Sequence, residues 1–221
     1  MALSLSLPVS VPQGLSPKQW VRSAEDWWFD TTRRVETVSG ALEKPDLAQI
    51  VGDQQDSYVY LPIRATNARA AIRDLPIRHF PEYTFIDVGS GKGKMLFVAA
   101  EYPFRRVIGV EYSKTLHDQA VVNCSRYRHP TQKCPVIEPI CCNATEYKFP
   151  DDRLVVYLFN PFGPDVMGRM LRNLEISMEQ TPRHVVILMI WPEHSQVVAG
   201  LQSMQEYKKT RRHHVFQSVL H

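Results

Sequence analysis

An acid and three glycines stand close together near the middle of the chain: Asp87-Val88-Gly89-Ser90-Gly91-Lys92-Gly93. Glycine at every second position permits positive φ and admits a ligand to the backbone with no Cβ atoms in the way. A second acid, Glu111, follows 24 residues after Asp87. An acid at that distance suits the hydroxyl pair of a ribose. Together these residues point to a nucleotide, and Asp87 narrows the choice. The dinucleotide fingerprint is G-x-G-x-x-G, which seats a pyrophosphate on a helix N-terminus. Here the spacing is G-x-G-x-G, and a carboxylate two residues before the first glycine would repel a pyrophosphate. It suits an adenosine that carries cationic groups.

A sheet edge must hold these residues. Phe85-Ile86 leads into Asp87 as a buried strand, and the apolar run 95–100 continues past the glycines as a helix starting near Lys92. The run 106–110 is a second strand, ending in Glu111. Strand, glycine turn, helix, strand and acid make a nucleotide-binding half-sheet. A third strand is predicted over 135–140, a fourth over 154–159 and a fifth over 185–190. The fourth is a continuous apolar run, as a strand buried on both faces should be. Asn143-Ala144 follows the third strand and Asn160-Pro161-Phe162 the fourth. Both therefore fall at the carboxyl edge, where open α/β sheets bind ligands. Asn143 can donate or accept a hydrogen bond, or can serve only as a turn residue. An amide, a rigid proline and an aromatic ring at a buried strand end can hold an incoming amine and cover a reacting centre. Helices are predicted over 66–75, 114–127, 165–178 and 193–204. Their expected inner faces include Ala68, Ala71, Ile72 and Leu75, then Leu116, Ala120 and Val121, then Val166, Met170, Leu171, Leu174 and Met178. The tail over 207–220 reads as two strands around the basic run 208–214.

Taken in order, Asp87 to Gly93, Glu111, Asn143-Ala144 and Asn160-Pro161-Phe162 resemble four motifs of the class I S-adenosylmethionine-dependent methyltransferases. These are motif I, the ribose-binding acid, the adenine-edge pair and motif IV. The resemblance covers residues 83–220. It implies an α/β fold: a Rossmann-like, doubly wound, seven-stranded sheet with an antiparallel last strand. It implies S-adenosyl-L-methionine as cofactor and S-adenosyl-L-homocysteine as product. Asp87 would face the cofactor's amino group, and the backbone of Gly89, Ser90, Gly91 and Gly93 would run along its methionine and ribose. Glu111 would take the ribose hydroxyls, Tyr112 would stack on adenine, and Asn143 and Ala144 would read the adenine edge. Asn160 and Phe162 are the catalytic candidates, with Asn160 also lining the cofactor. Tyr60, in the segment 58–62, would reach the methionine carboxylate or the substrate. Motif IV is often written N/D-P-P-Y/F, and here a single proline follows the asparagine. The implied reaction is methyl transfer to a nitrogen of a protein or small molecule. Two alternatives stand beside it: an RNA methyltransferase, favoured by the basic tail, and a cofactor-binding protein without catalysis.

The length of 221 residues suits one domain with an extension. We divide it into an N-terminal extension, 1–57, and a methyltransferase domain, 58–221. The extension carries a helix over 16–33, with Ser16 as cap and Pro17 at its first position. Trp20, Ala24 and Trp27 or Trp28 share one face of it and are expected to pack. By analogy with related folds this helix can instead cap the substrate pocket. Residues 34–57 read as loop. A net charge of +3 does not demand a polyanionic partner. No run approaches the roughly 18 apolar residues of a membrane span, and 1–12 lacks a positive n-region. A cytoplasmic protein with no membrane partner is expected. Four cysteines without zinc spacing read as reduced thiols, with no metal. His117, alone on its helix, reads as a surface or second-layer residue.

Overall fold

The computed structural model describes residues 17–38 and 62–219. Tyr60 lies outside the described residues, as do the side chain of Trp20 and most of the loop expected over 34–57. The elements in chain order are α1 (Pro17–Arg33), α2 (Ala65–Arg73), β1 (Tyr83–Val88), α3 (Lys94–Ala99), β2 (Arg106–Glu111), α4 (Lys114–Arg126) and β3 (Ile137–Cys141). They continue as β4 (Arg153–Leu158), α5 (Pro164–Gln180), β5 (Val185–Ile190), α6 (Ser195–Ala199), β6 (Met204–Lys209) and β7 (His213–Ser218).

The strands form one sheet in the order β3-β2-β1-β4-β5-β7-β6. β1 to β5 run parallel, and β7 is antiparallel to both its neighbours. This is the expected seven-stranded, doubly wound arrangement. The order reverses between β1 and β4, so a crevice opens at their carboxyl ends. β1 and β5 are buried at every position, as their apolar runs require. One core layer joins Phe85, Val107 and Tyr157 of the sheet to Phe29 of α1, Ile72 of α2 and Phe97 of α3. The opposite layer joins Ile86, Val88 and Val156 to Met167 and Leu171 of α5 and Val198 of α6.

Three helix predictions change in detail. α3 begins at Lys94 rather than near Lys92, because Gly93 is left-handed at φ 87° and ends the helical path there. On α4, Ala120 is buried but Val121 is 43% exposed, and the polar Asn123 is buried in its place. On α5, Met167 faces the core and Val166 is only half-buried. The tail strands also start earlier, since α6 stops at Ala199 and β6 opens at Met204.

The largest correction is the face of α1. Trp27 and Trp28 are exposed, at 40% and 57%, and Ala24 is exposed too. The packed face is Asp26, Phe29 and Arg33. The hydrophobic pattern misses it because two of these residues are charged, and each meets a partner on the sheet domain. Arg33 donates to Glu101 at 2.6 Å, and Glu101 also receives Arg69 of α2 at 2.6 and 2.8 Å. Asp26 pairs with Lys94, the first residue of α3, with both side chains nearly inaccessible. The Lys94 ammonium lies 5.1 Å from the centre of the Phe29 ring, within cation–π range. α1 is thereby bound to the start of the helix that follows the glycine turn.

Removing one partner of a buried pair leaves a stranded charge, which costs far more than removing both. Lys94→Met should lower unfolding free energy by ~3–5 kcal/mol. The double variant Lys94→Met, Asp26→Leu should recover most of that loss. Urea unfolding of the two variants checks it, and an equal loss in both would show that the pair is not the source.

Candidate active site

The glycine turn closes tightly. Gly89, Gly91 and Gly93 have φ of 81°, 54° and 87°. The N–H groups of Gly89 and Ser90 donate to the Val110 carbonyl at 2.8 and 3.1 Å, and that of Gly93 to Ser90 O at 2.9 Å. Gly89 has a second reason to lack a side chain. A Cβ there would stand 2.5 Å from Cβ of Pro161, so the glycine turn and the Asn160-Pro161-Phe162 segment are in direct contact across the switch point.

Glu111 ends β2 and is 9% exposed. One carboxylate oxygen accepts from Gly91 N at 2.7 Å and the other from Ser113 N at 2.8 Å. Burial pushes its pKa up, and the N–H groups of Ser113, Gly91 and Tyr112 only partly offset this. Each oxygen keeps acceptor capacity beyond its one backbone bond. Tyr112, the next residue, is 48% exposed.

Asp87 lies in the plane of the sheet, opposite Gly109 of β2 and Tyr157 of β4. It is 3% exposed, and no described residue donates a hydrogen bond to it. Burial, and then the charge of Glu111, hold its pKa well above the usual carboxylate range. The hydroxyl of Tyr157 is likewise pushed up, by burial and then by Asp87.

Several buried polar atoms here lack partners. Among the described residues they include Ser90 Oγ, Tyr157 OH and Asn160 Oδ1. Such orphans are rare in native interiors and point to a missing ligand or water. All three come from the ends of β1 and β4. Tyr157 was hidden from sequence reasoning inside an apolar run, where it reads as one more core residue. Its register opposite Asp87 is the only signal, and that needs the sheet.

The Asn160 backbone is strained, at φ 41°, and so is that of Trp191 just after β5, at φ 48°. For non-glycine residues this left-handed conformation is uncommon and clusters at functional sites. The two are joined, since Asn160 Nδ2 donates to Trp191 O at 2.5 Å. That bond fixes which way the amide points and leaves its oxygen unpaired. Phe162 is half-buried and packs against the layer that α5 covers.

Asn143 is half-buried at the carboxyl edge, and its Oδ1 accepts from both N and Oγ1 of Thr145 at 2.9 Å. It closes an Asx turn, the turn role among its two readings, and its amide NH₂ stays available. Ala144 beside it is buried. His117 is half-buried on α4, with a buried Nδ1 that has no partner among the described residues. All four cysteines are free. No group of three metal-ligating side chains occurs among the described residues, and no described helix is long and apolar enough to cross a membrane.

No protein-family model and no curated protein matches the chain. Solved structures do. A predicted N6-adenine-specific DNA methylase from Listeria monocytogenes is 17% identical over 81% of this chain and 55% of its own, with a TM-score of 0.52. TrmN from Thermus thermophilus is 16% identical over 78% of this chain and 52% of its own, with a TM-score of 0.50. Magnesium protoporphyrin IX methyltransferase (ChlM) from Synechocystis PCC 6803, solved with bound SAM, is 12% identical over 95% of this chain and all of its own, also at 0.50. The chain spans about half the length of the first two. These likenesses establish the fold, which is that of the class I methyltransferases.

Asp87 binds its proton more tightly in the folded protein than in the unfolded chain, so its ionisation opposes folding. The cost sets in as pH rises past the ordinary aspartate value of 3.8 and is complete above the folded-state pKa. Asp87→Asn should therefore be more stable than wild type to urea at pH 7 without ligand. The difference should vanish as pH falls to about 4. Equal midpoints at both pH values would mean that the carboxylate is not buried as described.

Proposed function

We propose that the protein is an S-adenosylmethionine-dependent methyltransferase acting on an amine nitrogen. The observation that carries this reading is Asp87: a buried carboxylate with no hydrogen-bond donor among the described residues, at the mouth of a positive-φ glycine turn. A diphosphate would be repelled there, whereas an ammonium would supply the missing donor and counter-charge.

The surrounding residues fit the rest of the cofactor. The glycine backbone offers a surface without Cβ atoms, and the orphaned Ser90 Oγ and Tyr157 OH supply polar contacts beside Asp87. Glu111 has acceptor capacity left for two ribose hydroxyls. Tyr112 is exposed enough to stack on adenine. Asn143 has spent its oxygen on Thr145, so it would meet the adenine edge through its NH₂, with Ala144 beside it. Gly91 N–H is already held by Glu111, so Gly91 serves the site by fixing the turn. Tyr60 is proposed to complete the methionine end. S-adenosylmethionine, when bound, supplies an electrophilic methyl group on a sulfonium.

The chain's own residues do the remainder. Asn160 Oδ1, unpaired and aimed by the bond to Trp191, accepts an N–H of the incoming amine. An amine so held keeps its lone pair free and directed, which is the positioning a displacement needs. The Pro161 carbonyl can take a second N–H, and Phe162 walls the opening. The acceptor proton passes to water. We assign 58–221 to this function and the α1 region to capping, with Trp27 and Trp28 exposed on it. A protein or small-molecule acceptor fits. An RNA acceptor is the second reading, favoured by exposed Arg211 and Arg212 at the same sheet edge as Asn160.

Calorimetric titration with S-adenosylhomocysteine tests the cofactor site. Asp87→Ala or Glu111→Ala should weaken binding by ~1.5–3 kcal/mol, the range for hydrogen bonds to charged groups. Asn160→Ala should hold affinity within a few-fold while tritiated methyl transfer into fractionated extract falls sharply. Unchanged affinity in both acid variants would remove the cofactor assignment, and undiminished transfer by Asn160→Ala would remove the acceptor assignment.

A further inference from the structure

A second cavity opens beside the crevice. It has a volume of about 350 Å³ and lies between α2 and the β6–β7 hairpin. Asn67 and Ala70 of α2 line one side, Ile190 and Trp191 the floor, and Arg211 and Arg212 of the hairpin turn the other side. We infer that this cleft seats the acceptor, and that the acceptor carries a phosphate group held by Arg211 and Arg212 next to a planar ring on Trp191. The inference rests on the reading of Asn160 as the residue that faces the acceptor.

Continuity is the first argument. Gly89 of the cofactor turn abuts Pro161, Asn160 bonds to Trp191 O at 2.5 Å, and Trp191 lines the cleft. One unbroken wall runs from the glycine turn to the cavity. Asn160, assigned above to the incoming amine, is thus one hydrogen bond away from a residue that lines the cleft.

Charge is the second. The basic run 208–214 divides by task. Lys208 and His213 both bind Asp74 at the end of α2, at 2.7 and 2.8 Å, and fasten the hairpin. Arg211 and Arg212 are exposed, enter no ion pair among the described residues, and both line the cleft. Their backbone is nonetheless fixed. Arg212 N donates to Thr210 Oγ1 at 3.2 Å, and Arg212 O accepts from Trp191 N at 2.9 Å. Two adjacent guanidinium groups on a pinned turn, with no carboxylate assigned to them, make a site for an oxyanion. One arginine fork satisfies a carboxylate, whereas a phosphate has the oxygens and charge to accept from both.

Trp191 is the third. The residue is 46% exposed although its backbone is tied at N by Arg212 and at O by Asn160 and Glu193. A large ring held at φ 48° and left uncovered is a stacking platform rather than a packing residue. The volume is near the lower end for small-molecule sites, enough for a ring and one phosphate.

Phenyl phosphate is the probe that joins both features, with inorganic phosphate as the anion alone and phenol as the ring alone. Binding is followed by ligand-observed NMR on the full chain. Wild type should bind phenyl phosphate, and the double variant Arg211→Ala, Arg212→Ala should lose at least about tenfold in affinity. Trp191→Ala should weaken phenyl phosphate more than inorganic phosphate. Urea midpoints confirm that the variants fold. A short single-stranded oligoribonucleotide separates the sources of the phosphate. Binding at least about tenfold tighter than phenyl phosphate, lost in the double variant, assigns a strand phosphate, and otherwise the acceptor is a free phosphate ester. No binding of phenyl phosphate at about 10 mM, or binding equal in wild type and double variant, overturns the inference. S-adenosylhomocysteine affinity is measured on the same samples and should be unchanged by the arginine variants. Its absence in wild type, with phosphate binding intact, would sink the methyltransferase reading and leave the anion site standing.

Discussion

The Glu111 carboxylate is the clasp on which the crevice depends. Its two oxygens take Gly91 N–H and Ser113 N–H, so one side chain fastens the turn after β1 to the turn after β2. The Val110 carbonyl adds two more bonds from Gly89 and Ser90. The glycine turn has no side chains with which to hold its own shape at three positive-φ positions. Neighbouring strands must fix it, and they do so with hydrogen bonds, of which the one from Gly91 N–H to Glu111 is buried. A charge-assisted bond in such surroundings is short and strong, and losing it would expose N–H groups with no alternative partner.

The same crevice also carries unfavourable terms. Among the described residues Asp87 is buried next to Glu111 without a donor and Ser90 Oγ and Tyr157 OH are orphaned, and Asn160 and Trp191 hold strained backbone. These features gather at the carboxyl ends of β1, β4 and β5, while the central strands below them are closely packed. A fold optimised only for stability would fill these places with apolar residues. Their placement at that edge supports the proposed site for a polar, cationic ligand.

Much of this was legible in the chain itself. The apolar runs before Asp87, Glu111 and Asn160 gave the strands, because a parallel strand buried on both faces leaves little choice of residue. The spacing of Gly89, Gly91 and Gly93 gave the turn, because only glycine enters positive φ so freely. What stayed hidden was burial achieved through polar pairing. Asp26, Arg33 and Asn123 are all core-facing, and no hydrophobic pattern marks them. Asn123 is buried because its NH₂ donates to Glu36 O and Lys92 O, and its oxygen accepts from Glu36 N. Each such residue depends on a partner between 31 and 87 positions away, and a local reading cannot see that far. The exposed Trp27 and Trp28 misled for the converse reason, since aromatic residues at helical spacing usually mark the packed face.

The final strand shows how topology supplies chemistry that composition does not reveal. Most of the sheet is parallel, and its hairpin is the exception: β7 runs against both β5 and β6. A parallel strand after β5 would have begun at the amino edge and left its preceding loop there. The antiparallel strand instead carries the turn 210–212 to the carboxyl edge, where Arg212 O meets Trp191 N. The formal charge of the chain is only +3, too small to suggest an anionic partner. Two arginines nevertheless end beside Trp191 because one strand is reversed. Lys208 and His213 hold that position through Asp74, and the bonds anchoring the hairpin to α2 also set the width of the cleft between them.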